Sequence, residues 1–254
     1  MAADEAILEH VGRGESLPTL RLYAWTPACL SLGYAQSFAD VDAARLREHG
    51  WDVVRRPTGG RAILHTDELT YSVVAPPDEP RVAGSILESY NHLARALIAA
   101  LRILQLPVEM KALAPVPDSN ALGPVCFEVP STYEITSNGK KLIGSAQARR
   151  KEGVLQHGSL PLYGDLTRIT QVLVFPDEAR RASAAERLLA HAATVESASG
   201  RIVAWDAAAQ AFVRGFASAL GLTFVREGLS PSEQSRASQL VDEKYAHASW
   251  TERV

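Results

Sequence analysis

The sequence predicts an α+β domain, a mostly antiparallel sheet flanked by helices, and the order of its segments carries that prediction. Strand-like segments cluster in 19–76 and again in 131–162, with one helix between the clusters and helices after them. Turn signals built on glycine, proline and asparagine separate the strands. A chain of 254 residues that is 46% hydrophobic can bury the core of one large domain.

The elements follow in order. Residues 4–12 pattern as a short amphipathic helix with Ala6, Ile7 and Val11 on one face. Segments 19–25 and 29–33 read as strands, with Pro27 in the turn between them. Asp40 is the expected N-cap of a helix through Arg47, ended by Gly50. Segments 51–56, 61–65 and 69–76 are further strands across short turns, so antiparallel pairing is expected. In 84–105, Ile86, Tyr90, Leu93, Leu97, Leu101 and Leu104 recur at helical steps. Residues 112–125 hold Pro115, Pro117, Gly123 and Pro124 and read as a loop that leads to Cys126. Three strands follow at 131–136, 141–149 and 154–161, the first two joined by an Asn138-Gly139 hairpin turn. Helices are expected at 177–193, at 205–220 and, after the Ser-Pro-Ser-Glu start, at 230–245. A last short strand is expected at 222–225. No repeat or linker divides the chain, which reads as a single domain over 1–254 with a helical C-terminal segment at about 226–254.

Composition narrows the function. A net charge of −3 does not suggest a nucleic-acid binder. The two cysteines, Cys29 and Cys126, are too few for a disulfide scaffold or a cysteine-rich zinc site. No apolar run approaches the roughly 20 residues that cross a bilayer. Met1 to Ala6 lacks a signal peptide's basic start and apolar middle. The expectation is a cytoplasmic protein, monomeric by default, with no membrane or nucleic-acid partner.

The residues with chemistry lie in two distant stretches. Arg55, Arg56 and Arg61 flank Gly59-Gly60, and His65 follows. Guanidiniums around exposed backbone N–H groups would form an anion cradle. In the second stretch Cys126 supplies a thiol, Lys141 an amine, and Gly144-Ser145-Ala146 a strand that a ligand can approach closely. His157-Gly158 ends it. A neighbouring ammonium would favour the thiolate of Cys126, the form that attacks a carbonyl. Taken singly, each has an ordinary structural reading. Cys126 can be a small buried hydrophobe, Lys141 a solvated strand end, Gly59-Gly60 a hairpin turn, and His65 and His157 satisfied structural side chains. Cys29 sits in an apolar strand and is expected to pack in the core.

Together these strings resemble the lipoate–protein ligase and octanoyltransferase superfamily, which is related to biotin protein ligases. The resemblance rests on the run from Arg55 to His65, on Glu68 to Ser72, on Lys141 to Gln147, and on Gln156 to Ser159. Asp4 to Ile7 and Leu30 to Gln36 also fit. It covers about residues 1–220 and implies the biotin/lipoate ligase catalytic-domain fold. Cys126-Phe127-Glu128-Val129-Pro130-Ser131 matches the cysteine segment of one branch. That branch moves octanoyl groups from acyl carrier protein to apo lipoyl domains, without a cofactor. The resemblance therefore implies Cys126 and Lys141 as catalytic residues. It implies Arg55, Arg56, Gly59, Gly60, Arg61, His65, Gly144, Ser145, Ala146, His157 and Gly158 as substrate-binding residues, and no metal. Acceptors in this family include the glycine cleavage H protein and 2-oxoacid dehydrogenase acyltransferase subunits. Three alternatives stay open: a ligase using ATP and magnesium, an amidotransferase between lipoyl-bearing proteins, and a non-enzymatic binding partner. The family often has an acid directly after the histidine. Here Thr66 follows His65 and Asp67 comes one later, so Asp67 is given no role.

Overall fold

The computed structural model describes residues 1–112 and 133–254. Cys126 and the loop expected at 112–125, apart from Ala112, lie outside the described residues.

Two sheets organise the chain. The larger has six strands: β1 (Thr19–Tyr23), β5 (Glu68–Ala75), β9 (Gly153–Pro161), β8 (Lys140–Arg150), β7 (Tyr133–Ser137) and β6 (Val108–Ala112), in that spatial order. Every pairing in it is antiparallel, as the clustering of strands predicts. The smaller sheet has the order β3 (Asp52–Arg55), β2 (Cys29–Leu32), β4 (Ile63–His65). Here the expected antiparallel run fails, because β3 pairs β2 in parallel while β4 pairs it antiparallel. A helix, α2 (Ala43–Glu48), carries the chain back between β2 and β3, and a crossover of that kind is what allows parallel pairing. Gly59-Gly60 therefore joins two strands that flank a common neighbour and does not close a hairpin.

Local chemistry explains most boundaries. Asn138 (φ 51°) and Gly139 (φ 76°) both take positive φ, which makes the tight β7–β8 turn. α3 (Ile86–Ile103) starts at Ser85, whose side chain forms a capping box with Glu88. Leu93, Leu97 and Leu101 of its stripe are buried, but Ile86 is exposed, so the core face begins one turn later than the sequence suggests. Asp42, not Asp40, caps α2, accepting from Arg45 N at 3.1 Å. Asp40 closes a short 3₁₀ turn and accepts from Gln36 Nε2 at 3.1 Å. β6 was not among the expected strands, although Val108, Met110 and Ala112 alternate with Glu109 and Lys111 as in a half-buried strand; the run is short and directly follows the turn that ends α3. No strand forms at 222–225; the chain there runs irregularly to Ser230, which caps α8 (Pro231–Leu240) with Glu233.

After β9 come α4 (Arg168–Gln171), α5 (Glu178–His191) and α6 (Val195–Ser199), and then α7 (Trp205–Leu220); one face of the large sheet packs against α3 and α7, burying Leu69, Tyr71, Leu97, Phe212 and Phe216 in the main core. At one end of the opposite face, α1 (Ala2–Gly12) covers Val74 and Leu155. Apolar side chains of the small sheet pack with Leu46, Ile169, Val172 and Leu188 in a separate core. α8 lies against α1 through Arg236–Glu9, and Ser16, in the loop after α1, donates to Glu233.

Candidate active site

Strand alternation sets the side chains of the site. Register pairs Thr70 with Ser159 and Ser72 with His157 across β5 and β9. It pairs Gly144 with Ser159 and Ala146 with His157 across β8 and β9. These residues share the sheet face turned away from α3. Thr58 Oγ1 lies 2.6 Å from His157 Nε2, which ties the small-sheet loop to that face.

A cleft of about 420 Å³, partly open to solvent, lies between these parts. It gathers Arg56, Gly60, His65, Gly144, Ser145, Ala146, His157 and Gly158, residues drawn from both distant stretches of sequence. Lys141 is buried at the start of β8 and does not line the cleft; its carbonyl accepts from Ala193 N at 3.0 Å. Gly59 is exposed and Arg61 half-buried, both beside the cleft wall but outside its lining.

The arginine cradle takes a different form from the one expected. Arg55, the last residue of β3, and Arg56 just after it are both buried, and their guanidiniums take different partners. Arg55 donates to the carbonyls of Gly33 (2.8 Å), Gln36 (2.6 Å) and Thr251 (2.8 Å). Arg56 donates to Ser31 O (3.0 Å), Gly59 O (2.8 Å) and Arg61 O (2.7 Å). Backbone carbonyls at strand ends and in loops would otherwise be unsatisfied inside the protein, and the guanidinium's fork suits them. Arg149 on β8 is similarly spent on Val82 O and Gly84 O, each at 2.8 Å.

Beneath the cleft lies a network that sequence reasoning missed. His65 Nδ1 is 2.5 Å from Glu68 Oε1 and its Nε2 is 2.8 Å from Ser31 Oγ. Thr70 and Ser159 donate to the same Glu68 carboxylate. Trp25 stacks on the His65 ring at 4.5 Å and donates from Nε1 to Thr70 Oγ1 at 2.9 Å. Burial alone would raise the Glu68 carboxyl, but His65 and the two hydroxyls outweigh it and hold the group below its ordinary value. Glu68, Thr70 and Ser72 alternate along a strand that is otherwise apolar, and that period-two polarity was the available signal.

Two more buried groups adjoin. Asp4 accepts from Arg21 Nη1 (2.9 Å), Tyr23 Oη (3.1 Å) and Ser72 Oγ (2.8 Å). Burial opposes its ionisation, but the α-amino group, Arg21, His157 and Ser72 hold it at about 2. Burial drives His157 down to about 3, so the imidazole is neutral at physiological pH.

The polar atoms around the cleft are thus mostly spent on one another; the exception is His157 Nδ1, buried without a hydrogen-bond partner. The surface that faces the empty space is largely carbon, with Ile63, Gly144, Ala146 and Gly158 among its lining residues. Such a surface suits an acyl chain. Among the described residues no group of His, Cys, Asp and Glu could hold a metal ion, and no helix is long and apolar enough to cross a membrane.

Residues 1–217 match the family model described as the lipoyl protein ligase A/B catalytic domain. An octanoyltransferase LipM of Moorella thermoacetica is 43% identical over 100% of this chain and 93% of that protein. Another, from Symbiobacterium thermophilum, is 40% identical over 100% of this chain and 93% of its own length. Among solved structures, a bi-partite lipoate protein ligase of Thermoplasma acidophilum superposes with a TM-score of 0.79 at 28% identity, over 99% of this chain and 89% of that one. A lipoate-protein ligase A bound with ATP gives 0.79 at 29% identity, over 99% and 92%.

Proposed function

Because this chain belongs to the lipoyl protein ligase A/B catalytic-domain family, we propose that it is an acyltransferase moving an octanoyl group from acyl carrier protein to a lysine of an apo lipoyl domain. The relatives named octanoyltransferases support the group transferred. The observation that carries the reading is the largely carbon-faced cleft above the Glu68 network, whose polar groups bond one another. Burying the chain there would contribute about 5 kcal/mol, at about 0.8 kcal/mol per methylene.

In this reading the Cys126 thiolate attacks the thioester carbonyl of octanoyl–acyl carrier protein. The C–S bond to the carrier breaks, its thiol leaves with a proton, and an octanoyl-Cys126 thioester remains. The ε-amine of the lipoyl-domain lysine then attacks that carbonyl, expelling the Cys126 thiolate and forming an amide. Both steps run from an activated acyl group to an equal or more stable one, so ATP is not consumed. Lys141 favours the thiolate and carries protons in both half-reactions. Backbone N–H groups near Gly144-Ser145 would stabilise the oxyanion. The glycine cleavage H protein or a 2-oxoacid dehydrogenase subunit would be the acceptor, and the enzyme a cytoplasmic monomer.

The structural likeness to lipoate ligases favours a second reading, an ATP- and magnesium-dependent ligase in which Gly59-Gly60 and Lys141 hold an acyl-adenylate and Cys126 has no role. One assay separates them. Apo lipoyl domain is incubated with octanoyl–acyl carrier protein without ATP, and separately with octanoate, ATP and magnesium. Modification in the first mixture alone is expected; modification in the second alone would establish the ligase.

A further inference from the structure

The C-terminal segment from α8 onward lies beyond the family match, yet it is wired to the cleft. After α8, a π-turn (Val241–Tyr245) and a short helix, α9 (Ala248–Thr251), lay the chain against β3. There Trp250 Nε1 donates to Arg55 O at 2.9 Å, and Arg55 Nε and Nη2 donate back to Thr251 O at 3.0 and 2.8 Å. The other arm of the same guanidinium, Nη1, holds the Gly33 and Gln36 carbonyls. That turn in turn props the cleft wall. Tyr34 N donates to Thr58 O at 2.8 Å, and a Cβ at Gly33 would sit 1.8 Å from Gly60 O. Gly60 lines the cleft. On the outer side, the Arg253 guanidinium stacks 3.8 Å from the Tyr34 ring and 4.1 Å from the Trp250 ring, closing the turn against the C-terminal segment.

We propose that residues 248–253 form a clasp that sets the position of the Gly60 wall through Arg55 and the 33–36 turn, with Trp250 as its key positioning residue. The acyl site then takes its width from a segment packed on the outside of the protein. Releasing the clasp lets the turn and the glycine loop sample other conformations. Substrate must then select the formed state, which weakens apparent affinity by the fraction formed and leaves the bound complex unchanged. The kinetic part of this inference rests on the octanoyl-transfer reading; the structural part does not.

The test compares wild type, Trp250→Phe, Trp250→Ala and Arg253→Ala by amide hydrogen exchange and by transfer kinetics. Trp250→Phe keeps an aromatic ring but loses the Nε1 donor and part of the indole's stacking area. Arg253→Ala is the mildest change and remains informative should Trp250→Ala fail to fold. Exchange should accelerate at residues 33–36 and 58–61 while α3 stays as protected as in wild type. The KM for octanoyl–acyl carrier protein should rise about five- to ten-fold in Trp250→Ala, less in the other two, with kcat within about two-fold. Unchanged exchange at 58–61 in every folded variant would overturn the clasp, and so would a uniform rise that includes α3. If wild type transfers no octanoyl group, the function reading fails on its own, and the exchange pattern alone decides the clasp.

Discussion

Moving from about pH 7.5 to about pH 5 should cost this protein stability through one side chain, His157. Its imidazole is buried between Thr58 and the large sheet, and burial lowers it from 6.5 in the unfolded chain to about 3 in the fold. Below the unfolded value the unfolded state takes up a proton that the native state refuses, so stability falls as pH falls. At about pH 5 the unfolded imidazole is almost fully protonated and the folded one almost not at all. Linkage over that interval gives a loss of about 2 kcal/mol from this residue. Asp4 works in the other window. Its folded carboxyl sits at about 2 against 3.8, so its stabilisation is complete above the unfolded value and fades only as pH falls toward about 2. It therefore adds almost nothing to the change in stability between about pH 5 and 7.5. The assay is urea unfolding of wild type and His157→Gln at both pH values, since glutamine keeps a polar end for Thr58. Wild type should lose about 2 kcal/mol more than the variant. Equal losses in the two proteins would refute the buried neutral imidazole.

Other perturbations follow from the same geometry. Gly33→Ala would place a methyl 1.8 Å from Gly60 O, so the glycine loop must shift; KM for the acyl donor should rise several-fold, and an unchanged KM would deny that contact. Glu68→Gln removes the charge that His65, Thr70 and Ser159 surround. Breaking a buried charged network of this kind costs about 3–5 kcal/mol, read as a drop in the unfolding midpoint. Arg236→Ala should cost about 1 kcal/mol, since its bidentate pair with Glu9 is only partly buried and its pair with Glu243 is exposed on the carboxylate side. A larger loss there would show that α8 docking depends on those pairs.

What was legible in the sequence followed the strength of the local signal. The helical stripe of α3, the Asn138-Gly139 turn and the Ser-Pro-Ser-Glu start of α8 each encode their structure within a few residues. The pairing of β2 with β3 and β4 was not legible, because register between segments depends on the helix that returns the chain and not on either strand's pattern. The gathering of His65, Gly144 and His157 in one cleft was anticipated from motif strings rather than from physics. Arg55 shows the reverse error. Arginines beside a Gly-Gly pair suggested an exposed anion cradle, but the partners of Arg55 are carbonyls from the 33–36 turn and from Thr251, nearly two hundred positions away. No local pattern announces such a contact. The Glu68 network was readable in principle, since polar residues at every second position of a buried strand need partners.

The most direct test of the central claim is the intact mass of the purified protein after mixing with octanoyl–acyl carrier protein alone. The account predicts a gain of one octanoyl group, absent in Cys126→Ala and discharged when apo lipoyl domain is added. No gain in wild type, with the acceptor modified only when octanoate and ATP are supplied, would contradict it and leave Cys126 outside the chemistry.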